Sequence, residues 1–302
     1  MTHSSNDFFA AIEPVANRKF HGVGEKTPRQ FDKIYKVGSD SEPQTSYVEY
    51  GAGGSLTEKA ENASVVAHTT SQGPVKTYYT RTWAGAATIS MEAAQDVKNR
   101  YPKLSQAMGM LGEAAHITPE LLTALQLDRA FNSAFPATAD GVEMCGTHTL
   151  PDGVTTFSNE LATPAALDET SAEDVRIALR STLNPSGNLA PLLVDSWVVP
   201  SAYDVIAHKL SRTKRSVGNA NNDESLVAGT DVTVFDYLGS ATRWFAKTSA
   251  TDKENGLFWD WIEKVQFITD QVPMNLQKVF ISYFRARYGI KNWRHIFGVA
   301  AT

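Results

Sequence analysis

A single cysteine, a histidine three residues on and an aspartate four beyond that make up CGTHTLPDG, residues 145–153, where the residue types could do chemistry. Three readings compete. A cysteine nucleophile needs a base within hydrogen-bond reach and usually a third group to orient that base. Cys145, His148 and Asp152 supply those types, but cysteine enzymes mostly bring their histidine from elsewhere in the chain. No clear helix start follows Cys145 to depress its pKa. A metal site needs three or four ligands. Glu143, His148 and Asp152 lie together, yet the seven histidines hold no His-x-x-x-His pair and no second cluster. The third reading, a small buried thiol beside a loop histidine bonded to backbone, asks for no chemistry, and the spacing favours it. No catalytic, cofactor-binding or metal-ligating residue is therefore assigned, and no cofactor is expected. A cysteine-dependent hydrolase using Cys145 and His148 stands as the alternative from another class.

The remaining motifs are weaker. His116, His208 and His295 fall in helix or strand contexts and read as structural or surface histidines. GAGG at 51–54 is not followed by a helix start carrying Lys-Ser or Lys-Thr, and HGVGEK at 21–26 lacks phosphate-loop spacing. Both punctuate loops. Lys209, Arg212, Lys214 and Arg215 close a helix, where cations offset the dipole. Phosphates or a neighbour's carboxylates are their other conceivable partners.

Composition narrows the class. With 42% hydrophobic and 20% charged residues the balance is globular. A chain of 302 residues can bury a sizeable core in one large domain or two smaller ones. A net charge of −5 and a pI near 5.8 argue against nucleic acid as a primary ligand. One cysteine excludes an intrachain disulfide framework and a cysteine-cluster zinc site, and suits a reducing compartment. MTHSSNDFFAAIEPVANRKF lacks the regions of a secretory signal. No run approaches ~18 consecutive apolar residues, so a soluble protein with no membrane partner is expected.

The elements that must position these residues are legible in outline. A short helix is expected around Asp7–Ala16, then an extended arm with little core of its own. Residues 38–76 are rich in Gly, Ser, Thr and Ala, and their flanks SYVEYG and VKTYYTRTW alternate as strands. That describes a long two-stranded excursion, marginal in isolation, that needs a surface to lie on. Leu104, Met108, Leu111 and Ala115, then Leu121, Leu122, Leu125 and Phe131, recur at helical spacing. Pro102 suits the first turn. Pro119 after Thr118 predicts a kink or restart near Ile117. Further on, Thr170 with Glu173 predicts the start of a helix carrying Val175, Ile177, Ala178 and Leu179. LLVDSWVVP reads as a buried strand, SAYDVIAHKL as a capped helix and KRSVGNANNDES as a polar loop. TDVTVFDYL and RWFAKTS are strands, and LFWDWIEKVQFITD, LQKVFISYFRARYGI and WRHIFGV are strands rich in aromatic and β-branched residues.

Taken in order, several of these stretches resemble the major capsid protein of tailed bacteriophages, the HK97 fold of Mu-type and related head subunits. LDRAFN at 127–132 resembles the end of that family's spine helix. ADGVEMCGTHTLPDGVTTFSN at 139–159 resembles its loop closed by Ser158-Asn159. LLVDSWVVPSAYDVIAHKLSRT at 192–213 resembles its strand, Val-Pro and helix unit. NANNDESLVAGTDVTVFDYLGSATRWFAKTS at 219–249, ENGLFWDW at 254–261 and FRARYGIKNWRHIFG at 284–298 resemble the elements that follow.

The resemblance implies an α+β, HK97-like capsid fold. Its parts would be an N-terminal arm at 1–37, an E-loop hairpin at 38–82 and a peripheral domain with a long spine helix at 83–135. An axial domain would follow at 136–248, and 249–302 would supply peripheral-domain strands and a return strand to the axial domain. It implies a head protein that assembles with itself, as hexamers and pentamers, into an icosahedral shell around double-stranded DNA. Implied partners are a scaffolding protein, a portal, possibly a decoration protein, and packaged DNA bound without sequence specificity. Assembly in the bacterial cytoplasm and a final place in the virion follow from it. The chain starts at Met1 without a long charged leader, so either a separate protein supplies scaffolding or the leader is not part of this chain. No Lys, Asn and Glu set for covalent cross-linking is assigned. Within the same fold, an encapsulin-like compartment shell is the alternative.

Overall fold

The computed structural model describes residues 14, 16–22, 28–51, 56, 58–65, 67, 70–90, 100–214, 225, 227–248, 256–272 and 277–300, with backbone alone at 100–105 and 271. Most of the helix expected at Asp7–Ala16, most of HGVGEK and GAGG, and the middle of KRSVGNANNDES lie outside the described residues.

Two four-stranded sheets organise the chain. The first is built on its most aromatic stretch. Strand β10 (Leu257–Val272) pairs antiparallel with β11 (Gln277–Ile290). Side chains on β11 alternate between buried and half-buried along nearly its whole length, as a strand with one face on a core must. Two register shifts between Trp261 and Gln266 bend β10. Strand β1 (Lys36–Ser39) adds in parallel to β10, and β4 (Arg81–Ser90) adds antiparallel to β11, giving the order β1-β10-β11-β4. Lys36–Ser39 is thus a sheet strand, where the sequence suggests the junction of arm and hairpin.

Helix α1 (Arg100–Asp128) lies on this sheet. Met108, Leu111 and Ala115 pack on Phe280, while Ala124 and Leu127 reach the cluster around Trp259 and Phe284. The helix runs on through Pro119 without a restart, and the expected N-cap fails, because the Thr118 hydroxyl donates to the Ala114 carbonyl at 2.6 Å. Packing on the sheet outweighs one missing backbone donor. Leu121 and Leu125 are exposed, while Glu120 and Thr123 are buried in their place. Glu120 accepts the backbone N–H groups of Gln30 and Phe31 at 2.8 and 3.0 Å, satisfying the start of a one-turn 3₁₀ helix at Phe31–Lys33. Residues 16–22 are helical, and Ala16 and Phe20 are buried against Met108, Leu111 and Phe280. That part of the arm is neither extended nor without a core.

The second sheet has the order β12-β9-β7-β8, from β7 (Val194–Val199), β8 (Asp231–Val234), β9 (Trp244–Thr248) and β12 (Ile296–Val299). Helices α2 (Glu169–Arg180) and α3 (Asp204–Arg212) cover it, with Val175, Leu179, Ala207 and Leu210 packed on Trp197, Trp244 and Phe297. The cap of α2 is Asp168, which exchanges side-chain bonds with Ser171 two residues ahead of the expected Thr170 box. Ile177, expected among the apolar positions of this helix, faces solvent. Helix α3 grows from a 3₁₀ turn at Ser201–Tyr203 and has no side-chain cap.

Two hairpins complete the fold. Strands β2 (Gln44–Gly51) and β3 (Ser71–Tyr79) form the long one, and β5 (Thr147–Thr149) and β6 (Thr156–Ser158) the short one. Among the described residues, no helix is long and apolar enough to cross a membrane.

Candidate functional site

The cysteine loop lies where the two sheets meet. Cys145 is fully buried, and its N–H donates to the Ala130 carbonyl just beyond α1 at 2.8 Å. Burial pushes its thiol well up, and the nearby Glu160 and Glu143 push the same way. A nucleophile needs the opposite: access, and a lowered pKa. The thiol fills a gap against the last strand, since a Cβ built on Gly298 would stand 2.6 Å from Cys145 Sγ and 2.6 Å from Phe131 Cζ. Cys145→Ala is expected to cost about 1 kcal/mol in stability. A thiol reagent should label the wild type only after denaturation, and labelling of the native subunit at the unfolded rate would contradict this placement.

His148 is also fully buried, one residue into β5. Its Nδ1 lies 2.9 Å from Asp140 Oδ2, and its ring stacks on Trp293 at 4.2 Å and 13°. Burial works to raise the Asp140 carboxyl, but bonds from His148 and Thr138 outweigh it and hold the group below its usual range. Asp152, the acid expected beside His148, sits in the β5–β6 turn instead. It accepts the N–H groups of Val154 and Thr155 at 3.0 and 2.9 Å, and Gly153 takes the φ of +74° that the turn requires. Among the described residues, no group of three or more His, Cys, Asp and Glu is placed to hold a metal.

The centre of the loop is a residue that no chemical motif singled out. The Asn159 side chain is buried, with Nδ2 facing the carbonyls of Met144, Ile296 and Trp293 at 2.9, 3.0 and 3.1 Å. Its Oδ1 accepts the Gly146 N–H at 2.8 Å, and its carbonyl accepts the Gly298 N–H at 3.0 Å. One amide thereby joins the cysteine loop to the C-terminal strand.

The same C-terminal turn anchors the long hairpin. The buried guanidinium of Arg294 pairs with Glu49 of β2, donates Nε to the Leu183 carbonyl at 2.7 Å and stacks on Trp293 at 4.2 Å. Burial pushes the Glu49 carboxyl up and the Arg294 guanidinium down, each against the pull of its partner. Tyr78 of β3 donates to the Ile290 carbonyl and packs edge-on against Phe258 at 5.0 Å. One side of the hairpin is thus seated on its own chain, while Tyr50, Val75 and Tyr79 stay exposed.

His295 lies next door, and its burial should make this turn sensitive to acid. Burial and then Arg294 push it down to about 4, with Nδ1 at 3.1 Å from Thr248 Oγ1. A histidine depressed in the fold contributes stability that is complete above its unfolded value near 6.5. That contribution should drain away as pH falls from there to about 4, where both states are protonated. Urea midpoints at pH 7 and pH 4.5 should differ by less in His295→Gln than in the wild type. Equal pH slopes would contradict the assignment.

His208 and the helix-end cations are ordinary. His208 lies 3.3 Å from Asp204 one turn back, and Lys209, Arg212 and Lys214 are exposed at the end of α3.

Three comparisons bear on this arrangement. A family model described as phage capsid protein matches residues 74–299. No protein of curated description matches the chain. Among solved structures, the capsid of the cyanophage P-SCSP1u has a TM-score of 0.54 at 11% identity, over 92% of this chain and 90% of that one. The capsid of a native GTA particle gives 0.52 at 14% identity, over 92% and 93%. The procapsid of bacteriophage JBD30 gives 0.51 at 12% identity, over 99% and 77%.

Proposed function

The chain belongs to the phage capsid protein family, and from that premise we propose that it is the subunit of an icosahedral head enclosing the double-stranded DNA of a tailed phage. The observation that carries this reading is the extent of the family match, which runs from within the second strand of the long hairpin to the last strand and takes in every strand of both sheets except β1. The sheet β1-β10-β11-β4 with α1 serves as the peripheral domain, with α1 its spine helix. The sheet β12-β9-β7-β8 with its helices serves as the axial domain, and the β2–β3 hairpin as the E-loop. A buried, raised-pKa cysteine supports a structural role without catalysis.

Assembly is the work such a subunit does. Repeated heterologous contacts around closed rings let modest interfaces add up to a stable shell. A net charge of −5 suits a container that must hold DNA without gripping it. A scaffolding protein, a portal, a decoration protein and packaged DNA are the partners this role calls for, with assembly in the host cytoplasm. Sedimentation of the protein, expressed alone and with its neighbouring genes, tests the reading. Material pelleting at particle mass supports it, and material remaining at subunit mass in every case counts against it.

A further inference from the structure

The first sheet is four strands wide only as far as Arg81. There β4 ends opposite Ala286, while β11 runs on to Ile290. A cleft of about 430 Å³ lies beside that end, between Arg287–Gly289 of β11, the root of β3, the end of α1 and the loop at 134–137. Its size is that of a small-molecule site. Trp83, Phe135 and Tyr288 supply aromatic walls. Trp83 stacks on Phe284 at 5.3 Å and 22°, and Tyr288 on Trp259 at 5.3 Å and 17°, so the core holds both rings in place. Phe135 is 42% exposed. Four cations line the cleft, Lys76, Arg81, Arg129 and Arg287, and among the described residues no carboxylate does. Arg287 is answered from elsewhere, by Asp260 at 3.2 Å and by Asp40. The other three have no acid. Lys76 donates to the Pro136 carbonyl at 3.2 Å, Arg129 lies over the Phe135 ring at 4.0 Å, and Arg81 forms no ion pair or side-chain hydrogen bond among the described residues. Asp128, beside Arg129, is already engaged by the N–H groups of Gly239 and Ser240 at 2.9 and 3.2 Å. Burial pushes the Tyr288 hydroxyl up while Arg81 and Arg129 pull it back, so both guanidiniums lie near that ring.

One exposed cation is a solvated charge of little consequence. Three of them around aromatic rings, with no acid among them, match a ligand that carries both an anion and a flat ring. A phosphate takes the guanidinium fork in paired hydrogen bonds, and a planar base stacks on an aromatic side chain whatever its identity. A carboxylate would meet the cations and leave the rings unused. Duplex DNA would do the same, because its bases stay paired inside the helix. We propose that this cleft binds a nucleotide, its phosphate on Arg81, Arg129 and Lys76 and its base on the wall of Trp83, Phe135 and Tyr288. A free mononucleotide and an unpaired nucleotide of a strand share this chemistry. In a chain of net charge −5 the cleft is a local departure, and its affinity should fall as salt rises. The site goes beyond the shell reading and does not rest on it.

Calorimetric titration of the full-length subunit with four probes tests it: adenosine monophosphate, a 5′-phosphorylated hexathymidylate, inorganic phosphate and adenosine. Adenosine monophosphate, or the hexathymidylate, should bind at least about tenfold more tightly than phosphate or adenosine. Arg81→Glu with Arg129→Glu should weaken that binding at least about tenfold, and Lys209→Glu, a cation outside the cleft, should leave it unchanged. Phe135→Ala should weaken nucleotide binding about fivefold or more and leave phosphate binding as it was, because it removes a ring and no charge. Mononucleotide binding as tight as that of the hexathymidylate assigns the site to free nucleotides, and binding of the hexathymidylate alone assigns it to a strand. Both outcomes support the proposal. Phosphate bound as tightly as the nucleotide would leave only an anion spot, and a blunt duplex bound more tightly than the single strand would leave the rings without a role. Either result overturns it, as does the absence of nucleotide binding at about millimolar concentration. Should the charge reversals unfold the subunit, Arg81→Gln/Arg129→Gln replaces them, and unchanged nucleotide affinity in that variant is equally fatal.

Discussion

Asn159→Ala is expected to destabilise the subunit by about 4 kcal/mol, more than most single substitutions in a folded domain. The loss is not that of one hydrogen bond. Without the amide, the Gly146 N–H loses its acceptor, and the carbonyls of Met144, Trp293 and Ile296, which share the two N–H groups of Nδ2, lose that donor, although the Trp293 carbonyl still accepts the Ile296 N–H. Each group left unpaired carries a penalty of roughly 1–3 kcal/mol, and the groups are neighbours, so the penalties do not simply add. Asn159→Asp is the sharper variant. It keeps the volume but turns an oxygen toward three carbonyl oxygens, and should be at least as damaging. Urea denaturation reads both as a lowered midpoint with an unchanged slope. A midpoint within error of the wild type for either would mean that the cysteine loop and the C-terminal strand are joined by something other than this amide.

The second large effect lies in the Glu49–Arg294 pair, whose members are 245 residues apart in sequence. Both are taken out of water, and burial opposes the charge on each. Such a pair adds little net stability, yet removing one partner strands the other. Arg294→Leu and Glu49→Leu are each expected to cost about 3–5 kcal/mol, and the double variant clearly less than their sum. The loss should be local first. A two-stranded hairpin is marginal without a surface, so amide exchange in β2 and β3 should rise well before exchange in β10 and β11. Costs that add, with exchange rising evenly over the chain, would contradict the latch.

These two sites mark where sequence reasoning ran out. The strands around Trp259 and Phe284 were legible because aromatic and β-branched residues alternate over more than ten positions. Helix α1 was legible as a helix but not in its register. Nothing local says that Glu120 turns inward to meet the N–H groups of Gln30 and Phe31, or that packing carries the helix through Pro119. The start of α2 was misplaced by two residues because Asp168, Thr170 and Ser171 compete as caps within one turn. At the cysteine loop the reading of Cys145 as a small buried thiol agrees with its burial, but His148, read as a loop residue bonded to backbone, lies in a strand and faces a carboxylate. Asp152 is nearer CGTHTLPDG by eye, whereas Asp140, eight residues before His148, is the one the chain folds onto it. The hairpin's need for a surface was readable from its composition. That half of this surface is its own C-terminal turn was not, because an ion pair across most of the chain leaves no trace in spacing.

A subunit that builds a shell should be seen doing so by electron microscopy of the purified protein, alone and co-expressed with its genomic neighbours. Closed particles or rings of five and six subunits are expected, with the β2–β3 hairpin of one copy reaching the next. A uniform monomer or dimer under every condition would contradict it.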